Sequence, residues 1–293
     1  MRRFLAAGVV VTLGVTIVAI AIGALSLSGP KSGRDSAETA SPPGSSDASA
    51  SADPTADPAT SARTPVLVEL FTSEGCSSCP PADAVLARLE KTQPIAGAEV
   101  IALSFHVDYW NYIGWADPFS SAQFSERQGE YARAYGKDGV YTPQMIVDGV
   151  REFPGGNGNL ATETITKAAR TPKATLRFSR EKPGAEGVVR LGVKIADLPP
   201  MGAGGAAYVL LAVTESDLST DVRRGENSGR RLSHVGVVRR LTTLGPVTGG
   251  DFAVEASIPI ERGWRRENLR AVVFAQESGS RRVLAAGSLK LFE

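Results

Sequence analysis

Cysteine and histidine are nearly absent from this chain: its 293 residues include two of each. A disulfide-stapled scaffold needs more cysteines, spread along the sequence, so that class is excluded. Cys76 and Cys79 form one C-x-x-C. A bond between them closes too short a loop to remove much unfolded-chain entropy, which points to reactivity rather than stapling. Scarce histidine also limits metal chemistry. Two thiolates are half of a tetrahedral set, and only His106 and His234 can add imidazoles, with nothing in the sequence placing them together. An excess of one charge is missing as well. Lys and Arg number 32 against 31 Asp and Glu, a formal net charge of +1, which argues against a dedicated nucleic-acid binder.

Charge is wholly absent from Phe4 to Pro30, directly after Met1-Arg2-Arg3. Two arginines before an apolar run predict an export signal over residues 1–30. The run is nearer the length that spans a bilayer than that of a signal-peptide core. An uncleaved anchor is therefore favoured over a removed signal peptide, with Ala24-Leu25-Ser26 and Ser26-Leu27-Ser28 as passable cleavage sites. Either way the arginines stay inside and the rest is delivered outside the cytoplasm. The expectation is a protein anchored by its N-terminus, or secreted or periplasmic after cleavage, with membrane contact only through that segment. Residues 31–64 are Ser, Ala, Asp, Thr and Pro with hardly any larger apolar side chain. Such a stretch does not offset its ordering entropy and reads as a disordered tether.

From Pro65 the texture is that of a packed domain. Val66–Phe71 is a short apolar run with β-branched residues and predicts a strand. After the C-x-x-C, Ala82, Val85, Leu86 and Leu89 recur at helical spacing. Glu99–Phe105 predicts a second strand, and Phe124, Tyr131 and Tyr135 share one face of a second helix. Pro143–Asp148, Gly149 and Val150–Phe153 read as a hairpin, followed by a weaker helix over Leu160–Arg170. The order β-α-β, α, β-β-α predicts a mixed sheet with helices on both faces over residues 65–172. From Thr175 onward about seven strand-like runs follow, separated by Gly, Pro and charged turns. These predict an all-β, sandwich-like domain over 173–293.

A C-x-x-C between a strand and a helix has a specific physical meaning. The helix N-terminus presents free N–H groups and partial positive charge, which stabilises a thiolate and favours attack on a disulfide. Cys76 is assigned as the attacking and more exposed thiol, Cys79 as the resolving one. A static disulfide or half of a metal site remain as alternatives. Trp110 and Trp115 lie in the segment after the second strand, where α/β domains commonly carry function. They form either a peptide groove or packing between the two domains. His106 reads as a satisfied core or loop residue. Arg223–Arg231 reads as a solvated loop that could instead reach over the thiol site.

The stretch Val68–Asp83, containing Cys76-Ser77-Ser78-Cys79, together with His106–Trp110, Tyr141-Thr142-Pro143-Gln144 and Arg224–Gly229, resembles the thioredoxin superfamily. More narrowly it resembles the secreted bacterial thioredoxin-like family catalogued as domain of unknown function 1223. The resemblance covers about residues 65–293. It implies that Pro143 is a cis proline facing the C-x-x-C, with Thr142 offering backbone groups to an extended substrate. It also makes Glu69 the nearest equivalent of a buried acid before the active site, one residue off the usual spacing. Pro80-Pro81 departs from the thioredoxin pattern and predicts a helix that starts near Pro81, farther from Cys76. The function expected is extracytoplasmic thiol–disulfide exchange on protein thiols or disulfides of the cell envelope, without a diffusible cofactor. A non-catalytic binding scaffold and a metal-binding chaperone are the alternatives.

Overall fold

The structure is a computed structural model and describes residues 63–292 apart from 182–186, 203–204 and 248. The export signal and nearly all of the tether expected from the sequence lie outside the described residues. No helix among the described residues is long and apolar enough to cross a membrane. The described residues belong to one compact unit, Asp57–Glu293.

The first strand, β1 (Thr64–Thr72), is buried along most of its length. Val66, Val68 and Leu70 face one side of the sheet and Leu67 and Phe71 the other, which is why it reads as a continuous apolar run. It pairs in parallel with β2 (Ala98–His106) and antiparallel with β3 (Gln144–Val147), which in turn pairs with β4 (Arg151–Pro154). Between β1 and β2 lies helix α1 (Pro80–Thr92). Helix α2 (Ala122–Ala134) follows β2, capped by the Ser121 hydroxyl accepting from the Gln123 N–H. Helix α3 (Gly158–Ala168) is capped by Asn157, whose side-chain oxygen accepts from the Leu160 N–H. Leu86 and Leu89 of α1 and Ile165 of α3 pack on one face of the sheet; Phe124 and Tyr131 of α2 pack on the other.

The second half contributes β5 (Thr175–Arg180), β6 (Val188–Ala196), β7 (Ala207–Glu215), β8 (Leu218–Asp221), β9 (Arg231–His234), β10 (Val237–Val247), β11 (Phe252–Pro259), β12 (Leu269–Glu277) and β13 (Val283–Lys290). The seven longer strands match the runs anticipated from the sequence. The β8–β9 hairpin was not anticipated, because two four-residue strands with polar outer faces carry little periodic signal.

The sheets do not divide at 172/173. One eight-stranded sheet runs β13-β12-β7-β10-β2-β1-β3-β4, so strands from both sides of the expected boundary share it. The seam is the parallel contact of β10 with β2 at Val237 and Ser104. Gly236, at φ +56°, permits it, since a Cβ there would lie 2.6 Å from the Ala102 carbonyl oxygen. The three-stranded sheet β11-β6-β5 packs on the far end of the large sheet through Leu191, Val193, Val209 and Val273, among others. The fold is thus a sheet-rich mixed α/β arrangement in which the β-rich half extends the sheet of the first.

Candidate functional site

Cys76 and Cys79 form a disulfide where the chain passes from β1 into α1. The helix begins at Pro80, directly after Cys79 and within one residue of the start near Pro81 expected from the sequence. Cys79 is the N-cap, and its carbonyl accepts from the Ala82 (2.8 Å) and Asp83 (3.1 Å) N–H groups. Two prolines are tolerated because the first helical positions have no intrahelical acceptor for their N–H groups. Cys79 itself stays helical, at φ −76° and ψ −40°.

Cys76 is not the exposed thiol. Both cysteines are 0% exposed, while Ser77 and Ser78 between them face solvent. The other half of the chain is bonded to this loop. In the turn between β8 and β9, the buried Asn227 donates from Nδ2 to the carbonyls of Glu74 and Cys76, both at 2.9 Å. Arg230 donates to Asn227 Oδ1 (2.7 Å), and Glu226 accepts the Ser77 N–H (3.0 Å). The charged segment Arg223–Arg231 is therefore a strap across the C-x-x-C rather than a free loop.

Thr142 and Pro143 precede β3, whose Gln144 pairs with Phe71 near the end of β1. They thus lie at the same end of the sheet as the cysteines, and the bond between them is cis. Trp110 joins the two loops. Its Nε1 donates to Thr142 Oγ1 at 2.8 Å, and its Cβ would meet a Cβ on Gly75 at 3.1 Å. Trp115 donates to Glu74 Oε2 at 2.8 Å and packs beside Gly225 of the strap. Both indoles are half-buried and fill the space between loops.

Glu69 has other commitments. It points to the α2 face, where it accepts from Arg127 Nε (2.8 Å) and from the Tyr131 hydroxyl. Arg127 continues to Gln276 of β12 at 3.1 Å. This network ties the two halves together and uses both carboxylate oxygens of Glu69.

Behind the disulfide lies a polar cluster that sequence reasoning left scattered. His106, at the end of β2, donates from Nδ1 to Asp117 Oδ2 at 2.7 Å. His234, at the end of β9, donates from Nε2 to Glu74 Oε1 at 3.0 Å. The two rings stand edge to face with centroids 4.8 Å apart, and Phe119 packs on both. His106 Nε2 and His234 Nδ1 are buried without a hydrogen-bond partner. Asp83, one turn into α1, accepts from Thr72 Oγ1 at 2.9 Å. Burial raises the Asp83 pKa, an effect only partly offset by the nearby His234 and His106. Burial also opposes charge on His106, yet Asp117, Asp83 and Glu74 outweigh it and raise its pKa. Burial acts to raise Asp117, but His106 and the backbone N–H groups of Glu74 and Phe119 bring it below its usual range. Although the imidazoles meet, no group of three His, Cys, Asp or Glu side chains among the described residues is arranged to hold a metal ion. The cluster's only trace in the sequence is Glu74, Asp83 and His106 standing close to the C-x-x-C or to the ends of the strands beside it. His234 gives no such sign.

No curated protein matches the chain. Among solved structures, a crystal structure of a protein from Agrobacterium tumefaciens is 29% identical, covering 80% of this chain and 97% of its own, with a TM-score of 0.62. HBP35 of Porphyromonas gingivalis is 16% identical, with 79% of this chain and 76% of its own covered and a TM-score of 0.58, a likeness of fold alone. Residues 67–276, from the first buried strand to the Gln276 that meets Arg127, match the family described as Protein of unknown function (DUF1223), and the chain belongs to that family.

Proposed function

We propose that this protein carries out thiol–disulfide exchange outside the cytoplasm, on protein thiols or disulfides of the cell envelope, through Cys76 and Cys79. The observation that carries the reading is the disulfide itself. The chain's only two cysteines are joined across the junction of a buried strand and a helix N-terminus, where a released thiolate is stabilised. The thioredoxin-like reading draws support from the sheet order β2-β1-β3-β4, from α1 and α3 lying opposite α2, and from Thr142-Pro143 standing at the same end of the sheet as the cysteines. The extracytoplasmic reading draws support from a formed disulfide and from the apolar, uncharged run after Arg3.

The reaction is an exchange. A substrate thiolate attacks one sulfur, the Cys76–Cys79 bond breaks, and a mixed disulfide forms. A second substrate thiol resolves it, leaving the protein reduced and the substrate oxidised; the reverse sequence oxidises the protein. Incubating the oxidised chain with a reduced, unfolded dithiol protein should transfer the disulfide, and Cys76→Ser or Cys79→Ser should abolish net transfer. Two cysteines that stay paired in the folded chain under excess dithiol would refute this reading.

One observation favours a second reading, a binding scaffold with a static disulfide: both cysteines are fully buried, and Glu226 and Asn227 tie down the backbone of their loop. The same experiment separates the two.

A further inference from the structure

The polar cluster behind the disulfide contains a buried feature that its hydrogen bonds do not explain. Two imidazoles each give one nitrogen to a carboxylate and leave the other without a partner. An unpaired buried nitrogen forfeits the hydrogen bond that water would give it, and native folds seldom retain one without a use. Here two occur on neighbouring rings. Each ring has a fixed orientation, because the carboxylate partner holds one N–H in place, and each has a second nitrogen able to take up a proton.

The groups facing the rings come from every element around them. The loop before α1 supplies Glu74, α1 supplies Asp83, and the segment before α2 supplies Asp117. Over the Phe119 ring stands Arg239 of β10, 5.3 Å from the ring centre, with Glu215 of β7 3.8 Å from its guanidinium. A surface pocket of about 250 Å³ reaches His234, with Lys91, Asp217 and Arg231 among its lining residues. Inside the cluster three carboxyl groups stand against two imidazoles. Glu74 is two residues before Cys76, and Asp83 bonds through its N–H to the Cys79 carbonyl. A thiolate formed here would add a negative charge beside a group already rich in carboxylates. In a low-dielectric interior that repulsion is strong.

We propose that His106 and His234 form an internal proton store for the disulfide, taking up a proton when the Cys76–Cys79 bond opens and returning it when the bond closes. A dithiol supplies two electrons and two protons. The Sγ–Sγ bond breaks, one sulfur becomes a thiol, the other remains a thiolate at the start of α1, and the second proton resides on the imidazole pair. Oxidation runs the same steps backwards. This step rests on the exchange chemistry proposed above, but only on the bond being openable, not on any particular substrate.

The chain's only histidines are these two, so their ring C–H signals in an NMR spectrum are assigned by one variant each, His106→Gln and His234→Gln. The test is a pH titration of both rings in the whole chain, oxidised and then reduced with dithiothreitol. Reduction should raise the proton affinity of at least one imidazole tenfold or more. Identical titrations in the two redox states would overturn the proposal. If the shift appears but no protein thiol exchanges, the function proposed above fails and the proton store stands. If exchange occurs without a shift, only the proton store falls. A disulfide that dithiothreitol does not open in the folded chain removes both.

Discussion

Glu74 shows how much one side chain can organise. Its carboxylate accepts from His234 and Trp115, its N–H reaches Asp117, and its carbonyl accepts from Asn227. Asp117 in turn holds His106, and that pair carries a pH prediction. The His106 pKa is raised in the folded chain, so its contribution to stability is complete below the unfolded value of about 6.5 and is lost as pH rises through the higher folded value. The Asp117 pKa is lowered, so its contribution is complete above about pH 3.9 and is lost as pH falls through the lower folded value. Denaturant unfolding of the oxidised chain across pH should show both declines, and His106→Gln should flatten the alkaline one. An unchanged alkaline decline in that variant would show that His106 is not its source.

Among the elements, the turn from β8 to β9 is tied to the cysteine loop. Asn227 makes two hydrogen bonds to the C-x-x-C loop. At about 1 kcal/mol net each, their loss weakens the closed strap enough to speed opening by roughly tenfold or more. Asn227→Ala should therefore accelerate reduction of the disulfide by dithiothreitol by that order, read by thiol labelling; a rate equal to the parent's would mean the strap is no barrier. The seam between β10 and β2 carries a second prediction. Gly236→Ala puts a Cβ 2.6 Å from the Ala102 oxygen at a positive φ. Left-handed backbone and a displaced strand together should cost about 2 kcal/mol or more. A denaturation midpoint close to the parent's would show that the seam yields without loss.

At the scale of the whole molecule, the two halves are built into each other. The core beneath α2 draws on Leu67, Phe71 and Leu103 from the first half and on Leu241, Val272 and Phe274 from the second. Asp148 accepts the Leu67 N–H at 3.0 Å and the Lys173 ammonium at 2.6 Å, joining β1 to the segment that leads into β5. Removing 173–293 would expose this core, leave the β2 edge open, and strip Glu74 of His234 and Asn227. A chain ended at 172 should fail to unfold cooperatively and should aggregate, as followed by circular dichroism and light scattering. Soluble, cooperative behaviour would show that the first half is an independent domain.

Local order was legible because it rests on local causes. Alternation or continuity of apolar residues marks strands such as β1 and β6, a 3.6-residue period marks α1, and turn residues mark the breaks. The disulfide was legible too, since two cysteines with two residues between them have no other cysteine in the chain to pair with. The helix start near Pro81 was legible because proline fits the first turn of a helix, where Pro80 and Pro81 stand. What surrounds the disulfide came only with tertiary structure. His106 and His234 are 128 residues apart in sequence and Glu74 and Asn227 are 153 apart, and no period in a sequence encodes contacts over such distances. Glu69 and Arg127 found each other across the α2 face for the same reason. Local propensity, patterning and residue chemistry determined which segments become strands and helices and which two sulfurs join. Long-range packing, through one continuous sheet, decided which side chains surround that pair, His106, His234 and Asn227 among them.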